Sequence, residues 1–231
     1  YQYEHLDGLK STMILLNGLV QDFNFAAHLA GEREPLSTQM YLPMPPARTT
    51  LANFFSPQVN NVEKMFLTGK ASYPVERTLL TGGLVEAGVE SLFQNQQRIE
   101  TPHLTVAYQP TPASTFWDNT ISAHSTTTPV APQYTRLTQP GDPPKRIAVI
   151  ASVYRYLSHA QHFCDRWLVG YPVNGRWHRP NLEIVSLYVN QRPSIDQSVD
   201  RAREFGFPIY PTIAEALRCG GDQLAVDGVL M

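Results

Sequence analysis

The spacing of apolar positions changes along the chain, and each change predicts a different kind of element. In the first forty residues the apolar runs are short and broken by polar turns. Met13-Ile14-Leu15-Leu16 ends at Asn17-Gly18, Phe23–Leu29 partly alternates, Gly31–Pro35 is polar, and Ser37–Leu42 returns. Short strands with polar turns between them predict an antiparallel meander. One face of such a sheet is apolar and needs a cover. Two helices follow that could supply it. Ser56-Pro57 places a cap before a proline at the first helical position, and Val59, Val62 and Phe66 fall three and four apart. Gly69 ends this helix and Pro74 opens the next. Val75, Leu79, Leu80, Leu84, Val89, Leu92 and Phe93 give the second helix its apolar residues, and Gly82-Gly83 inside it marks a kink or a close contact. Leu104–Tyr108 reads as a last short strand.

Periodicity is lost over 109–144, where Pro, Thr and Ser dominate. That is linker composition. From Lys145 the pattern becomes βαβα. Ile147–Ile150 is an apolar strand, followed by a compact segment and a helix start at Ser158, with Gln161 completing a capping box. This helix runs from His159 to Leu168, a polar excursion covers Gly170–Asn181, and Leu182–Val189 is the second strand. Ser194 with Gln197 opens another helix, stopped by Gly206. Pro208–Tyr210 is a short third strand, Thr212 with Glu215 caps a further helix, and Ala225–Met231 begins a fourth strand. The expected fold class is α/β: a truncated Rossmann-like parallel sheet unit at 145–231, a linker at 109–144, and an α+β piece at 1–108 with an antiparallel sheet and covering helices.

A strand, a tight loop and a helix N-terminus open a dinucleotide-binding βαβ unit, because the exposed N–H groups and the helix dipole favour a phosphate. The glycine fingerprint for that task, G-x-G-x-x-G, falls on Ala151-Ser152-Val153-Tyr154-Arg155-Tyr156, which contains no glycine. Val153 and Tyr156 put side chains where a close backbone approach needs none. Arg155 offers a fork of donors in compensation. The acidic residue expected at the end of the second strand, to hold a ribose, is Asn190. The candidate cofactor-binding residues are therefore Ser152, Val153, Tyr154, Arg155, Ser158 and Asn190.

Other chemistries are less well supported. The net charge of −2 gives no general attraction for nucleic acid. Arg155, Arg166, Arg176, Arg179 and Arg192 alternate with aromatic residues, which reads as a polar rim or subunit contact. No apolar run approaches the roughly 20 residues that span a bilayer, and Tyr1-Gln2-Tyr3-Glu4 has no signal-peptide character. Two cysteines, Cys164 and Cys219, make no disulfide framework and fit a reducing, cytoplasmic setting. His159, His162 and Cys164 lack a further ligand pair for zinc. No serine lies in a nucleophile elbow. The pairs Asp196/Asp200 and Glu32/Glu34 read as solvated charges.

Several stretches carry a family resemblance. The half from Lys145 resembles the N-terminal part of the glucose–fructose oxidoreductase / inositol dehydrogenase (Gfo/Idh/MocA) family. The resembling segments are the Ile147–Ile150 strand, Ser158-His159-Ala160, Arg201–Gly206, Ile209–Leu217 and Asp227-Gly228-Val229. The half from Tyr1 to Tyr108 resembles the end of that family's C-terminal domain, through Gly8–Thr12, Met65–Lys70 and Tyr73–Leu80. The order is reversed, as in a window cut from two tandem copies or a permuted reading frame. The resemblance implies a parent activity of NAD(P)-dependent oxidoreduction on a sugar, polyol or related small molecule. It implies NAD or NADP as cofactor and self-association through the sheet of 1–108. The family's Glu-Lys-Pro motif is absent, since Glu63-Lys64 is followed by Met65. No catalytic residue transfers onto this chain, and it is not expected to catalyse alone. The alternative is a non-enzymatic Rossmann-like binding or assembly protein.

Overall fold

The computed structural model describes residues 1–20, 23–40, 55–110, 141–173 and 176–231. In chain order the elements are β1 (Gln2–Glu4), β2 (Lys10–Thr12), β3 (Phe23–Ala27), β4 (Leu36–Met40), α1 (Phe55–Thr68), α2 (Val75–Phe93), a 3-10 turn (Pro102–Leu104), β5 (Lys145–Val153), α3 (His159–Val169), β6 (Tyr171–Val173), β7 (Arg176–His178), β8 (Leu182–Gln191), α4 (Ser198–Phe205), α5 (Ile213–Arg218) and β9 (Gly228–Leu230). Helices and strands are mixed, so the class is α/β at a coarse level. They form two compact units: the described parts of 1–42 with 73–113, and of 43–72 with 114–231. The linker expected at 109–144 lies almost wholly outside the described residues.

In the first unit β1 pairs with β2 and β3 with β4, both antiparallel, as two separate two-stranded sheets. Among the described residues the expected single meander is not formed. Met13–Leu16 is not a strand, and Ile14 and Leu15 are exposed. Leu104–Tyr108 is also not a strand; Pro102 instead starts a 3-10 turn that ends at the buried Leu104. Leu104 lies against α2 at Gly83, where an added Cβ would collide with its methyl groups. The ring of Tyr1 lies as closely against Gly88. Glycine therefore serves close packing on this helix. The apolar residues point the other way: Val75, Val89, Leu92 and Phe93 are all exposed.

The second unit is built on a parallel sheet in the order β8-β5-β9. Ile209 adds a parallel bridge to Leu187 on the other edge of β8, supported by Leu187 N–H to Pro208 O at 3.0 Å and Tyr210 N–H to Leu187 O at 2.8 Å. Ile147, Ala148 and Val149 are buried at 1% exposure or less, which explains why β5 reads as a continuous apolar run rather than an alternating one. Opposite them Ile184, Ser186, Leu187 and Val189 of β8 are buried, with a register shift between Ile147 and Ala148.

α1 belongs to this unit. Phe55 stacks on His162 of α3, with ring centroids 4.4 Å apart, and meets Phe163 edge-on. Phe66 meets Trp167 edge-on at 5.8 Å. Val59 is fully buried between these contacts. The stripe expected to cover the first-half sheet thus faces α3, and each fully buried side chain of this size contributes roughly 1.5–3 kcal/mol. α4 starts at Ser198, not at Ser194. Asp196 accepts from the Ser198 backbone and hydroxyl, and this shorter-range turn outcompetes the Ser194/Gln197 box.

Candidate functional site

From β5 the chain crosses to β8 on one side, and after the bridge at Ile209 it returns past β5 to lay down β9 on the other side. The carboxyl end of β5 is therefore where a parallel sheet places a ligand crevice. Two loops border it: Tyr154–Ser158 after β5, and the stretch after Gln191 that leads to α4. They are joined by an antiparallel bridge between Arg155 and Asp196 and by Gln197 N–H to Tyr154 O at 2.8 Å.

The loop is shorter than the fingerprint alignment requires. β5 continues through Val153, which pairs with Gln191 of β8, so Ser152 and Val153 belong to the strand. Ser152 is exposed and Val153 half-buried. The turn that remains is closed by its own hydrogen bonds. Ser158 Oγ accepts from the backbone N–H of both Arg155 and Gln161, each at 3.2 Å. Gln161 Oε1 accepts from Leu157 N–H at 3.0 Å, so the box closes on the residue before the cap. Ser158 N–H donates to Arg155 O at 3.0 Å. Leu157 sits at φ 62°, a left-handed conformation that costs a branched residue energy and that the cap stabilises.

Tyr154 is buried at 1% exposure, and its hydroxyl donates to Asp165 Oδ1 at 2.8 Å. Burial and the neighbouring Cys164 and Asp165 push its ionisation far above the ordinary tyrosine range. The Arg155 guanidinium donates to Tyr156 O at 3.1 Å, within its own loop. Asn190, at the exposed end of β8, accepts from Tyr188 Oη at 3.1 Å. The fold brings Tyr154, Arg155 and Ser158 into one turn. Ser152, Val153 and Asn190 stay on neighbouring strands.

Asp165 organises this corner. Besides Tyr154 it accepts from Gln161 Nε2 at 2.8 Å and from Arg201 through both Nε (2.9 Å) and an η nitrogen (3.1 Å). The bond to Asp165 is the main reason the Arg201 guanidinium holds its proton more tightly than usual. Gln161 and Asp165 are four apart on α3, so half of this network was readable as a helix-face pair. The rest comes from Tyr154 at the end of β5 and Arg201 of α4. On the second loop Asp196 Oδ1 and Gln197 Oε1 are buried without a hydrogen-bond partner among the described residues.

A second polar cluster, unforeseen from sequence, ties α1 to the β6–β7 hairpin. Glu63 is buried at 4% exposure and accepts from Tyr171 Oη at 3.0 Å, while His178 Nε2 lies 2.8 Å from its Oε2. Asn60 Nδ2 donates to Tyr171 Oη at 3.1 Å. The other histidine–cysteine grouping disperses on folding. His162 stacks under Phe55, and burial pushes the Cys164 thiol well above its usual range. Among the described residues no three His, Cys, Asp or Glu side chains converge as metal ligands, and no helix is long and apolar enough to cross a membrane.

No protein-family profile matches the chain, and no curated protein and no solved structure matches it either.

Proposed function

We propose that this chain is a Rossmann-like binding or assembly module related to the Gfo/Idh/MocA oxidoreductases and does not itself carry out their chemistry. The observation that carries this reading is the closed turn after β5. A dinucleotide site needs backbone N–H groups held open toward a pyrophosphate. Here those of Arg155, Leu157 and Gln161 are taken by Ser158 and Gln161 side chains. Tyr154, at the position nearest the strand end, is locked inward by Asp165. Asp196 Oδ1 and Gln197 Oε1, without a hydrogen-bond partner among the described residues, suit a donor-bearing ligand or partner better than an anion.

The oxidoreductase reading has its own support. Strand order Ile209-β8-β5-β9 corresponds to the 3-2-1-4 half of a dinucleotide-binding sheet. Ser158 caps a helix N-terminus directly beyond β5, and Arg155 lies exposed beside it. In that reading the cofactor would be NAD or NADP, which supplies the hydride, and the substrate a sugar, polyol or similar small molecule. We place self-association on the β3–β4 hairpin, which presents Phe23, Phe25 and Leu36 on one exposed face, and the protein in the cytoplasm, where free Cys164 and Cys219 are at home.

Titration of the purified chain with NADH and with NADPH, followed by nicotinamide fluorescence, separates the readings. No saturable binding in the micromolar range is expected. Saturable binding that disappears in Arg155→Ala would establish a glycine-free phosphate site and overturn the proposal.

A further inference from the structure

We propose that the N-terminal part of α1 is proton-releasable and stays docked on α3 only while the imidazole of His162 beneath Phe55 is uncharged. The two rings are 19° from parallel, and His162 is 7% and Phe55 8% exposed, so a charge on this imidazole would have almost no water to solvate it. One turn along α3, Arg166 already places a guanidinium against this end of α1: its Nε donates to the buried Ser56 Oγ at 3.2 Å and an η nitrogen to His162 O at 2.8 Å. His159, edge-on to Phe55, adds a second basic neighbour.

The titratable groups around His162 can be named element by element. On α3, Arg166 and His159 disfavour a proton and Asp165 favours one, but Asp165 is committed to Arg201, Gln161 and Tyr154. On α1, Phe55 stacks on it and Ser56 meets Arg166, and neither carries a charge; Glu63, two turns on, is held by Tyr171 and His178. Burial first and Arg166 second push His162 down to about 4 from the ordinary 6.5. Between these two values the released helix binds more protons than the docked one. The docking contribution is therefore present above pH 6.5 and is lost as the pH falls toward 4.

The far end of α1 behaves differently. There Glu63 accepts from Tyr171 Oη at 3.0 Å and lies 2.8 Å from His178 Nε2, and Phe66 meets Trp167 edge-on. Release therefore begins at Phe55–Val59, while Asn60, Glu63 and Phe66 keep their contacts.

Hydrogen exchange of the full chain, corrected for intrinsic rates, tests this. From about pH 7 to about pH 4.5, the amides of 59–62, whose helical acceptors are the carbonyls of 55–58, should exchange at least about tenfold faster, while β5 and β8 keep their protection. His162→Phe, which keeps the stack and cannot titrate, should abolish the change. Unchanged protection of 59–62 at the lower pH, or the same loss in His162→Phe, would overturn the proposal. Should that variant fail to fold, titration of the His162 ring by NMR in the unaltered chain decides: an apparent pKa below about 5 is expected, and one above about 6 refutes it.

Discussion

Tyr154 and Asp165 are joined by a 2.8 Å hydrogen bond that fixes the end of β5 to the middle of α3. Because Arg201 grips the same carboxylate with two nitrogens, α4 is tied into the same point. Asp165→Ala should cost roughly 2–4 kcal/mol, since it strands a partly buried guanidinium and a buried hydroxyl together. Tyr154→Phe, which removes only the hydroxyl, should cost about 1 kcal/mol. Urea unfolding gives both values, and equal losses would show that Asp165 is not the hub.

Two adjacent glycines on α2 should respond in opposite ways. Gly82 faces open space, so Gly82→Ala should be neutral or add up to about 1 kcal/mol through helix propensity. Gly83→Ala drives a methyl into the buried Leu104 and should cost about 1–3 kcal/mol. Thermal melts of the pair measure the difference directly, and indistinguishable melts would rule out the Leu104 contact.

The seat of α1 on the second unit can be probed from both sides. Val59→Ala removes fully buried methyl groups and should cost about 2 kcal/mol. Gly228→Ala pushes a Cβ from β9 into the ring of Phe66 and should cost about 1–3 kcal/mol. If α1 were a loose appendage, neither change would move the denaturation midpoint read from tryptophan fluorescence.

Ser158 holds two backbone donors with one oxygen. Ser158→Ala should lower stability by about 1 kcal/mol and Ser158→Gly by only a few tenths. An alanine variant as stable as the parent would mean that water replaces the cap without loss.

Local signals are legible in the sequence. Ser158 and Thr212 cap helices as their sequence neighbours imply, because each bond spans three residues. Gly206 stops α4 in a left-handed conformation for the same reason. The expectations that differ depended on distant partners. Leu104–Tyr108 has strand composition, but a strand exists only where a neighbouring edge accepts its hydrogen bonds, and Leu104 found Gly83 instead. Apolar spacing on α1 correctly marked a buried face without saying what it would meet. Tyr154 occupies a place in the fingerprint alignment, yet its inward fixing depends on Asp165, eleven residues on, and the Arg201 that grips the same carboxylate is brought there by no sequence spacing.

The seat of α1 on α3 also sets an order of events at the ribosome. Ser56 and Arg166, which meet across that contact, are 110 residues apart in the chain. At roughly 5–20 residues per second, α1 emerges several seconds before the helix it rests on. During that interval Phe55, Val59 and Phe66 have no sheet to rest against. The parallel unit can close only once its C-terminal half has been made, so this chain begins its core early and completes it last.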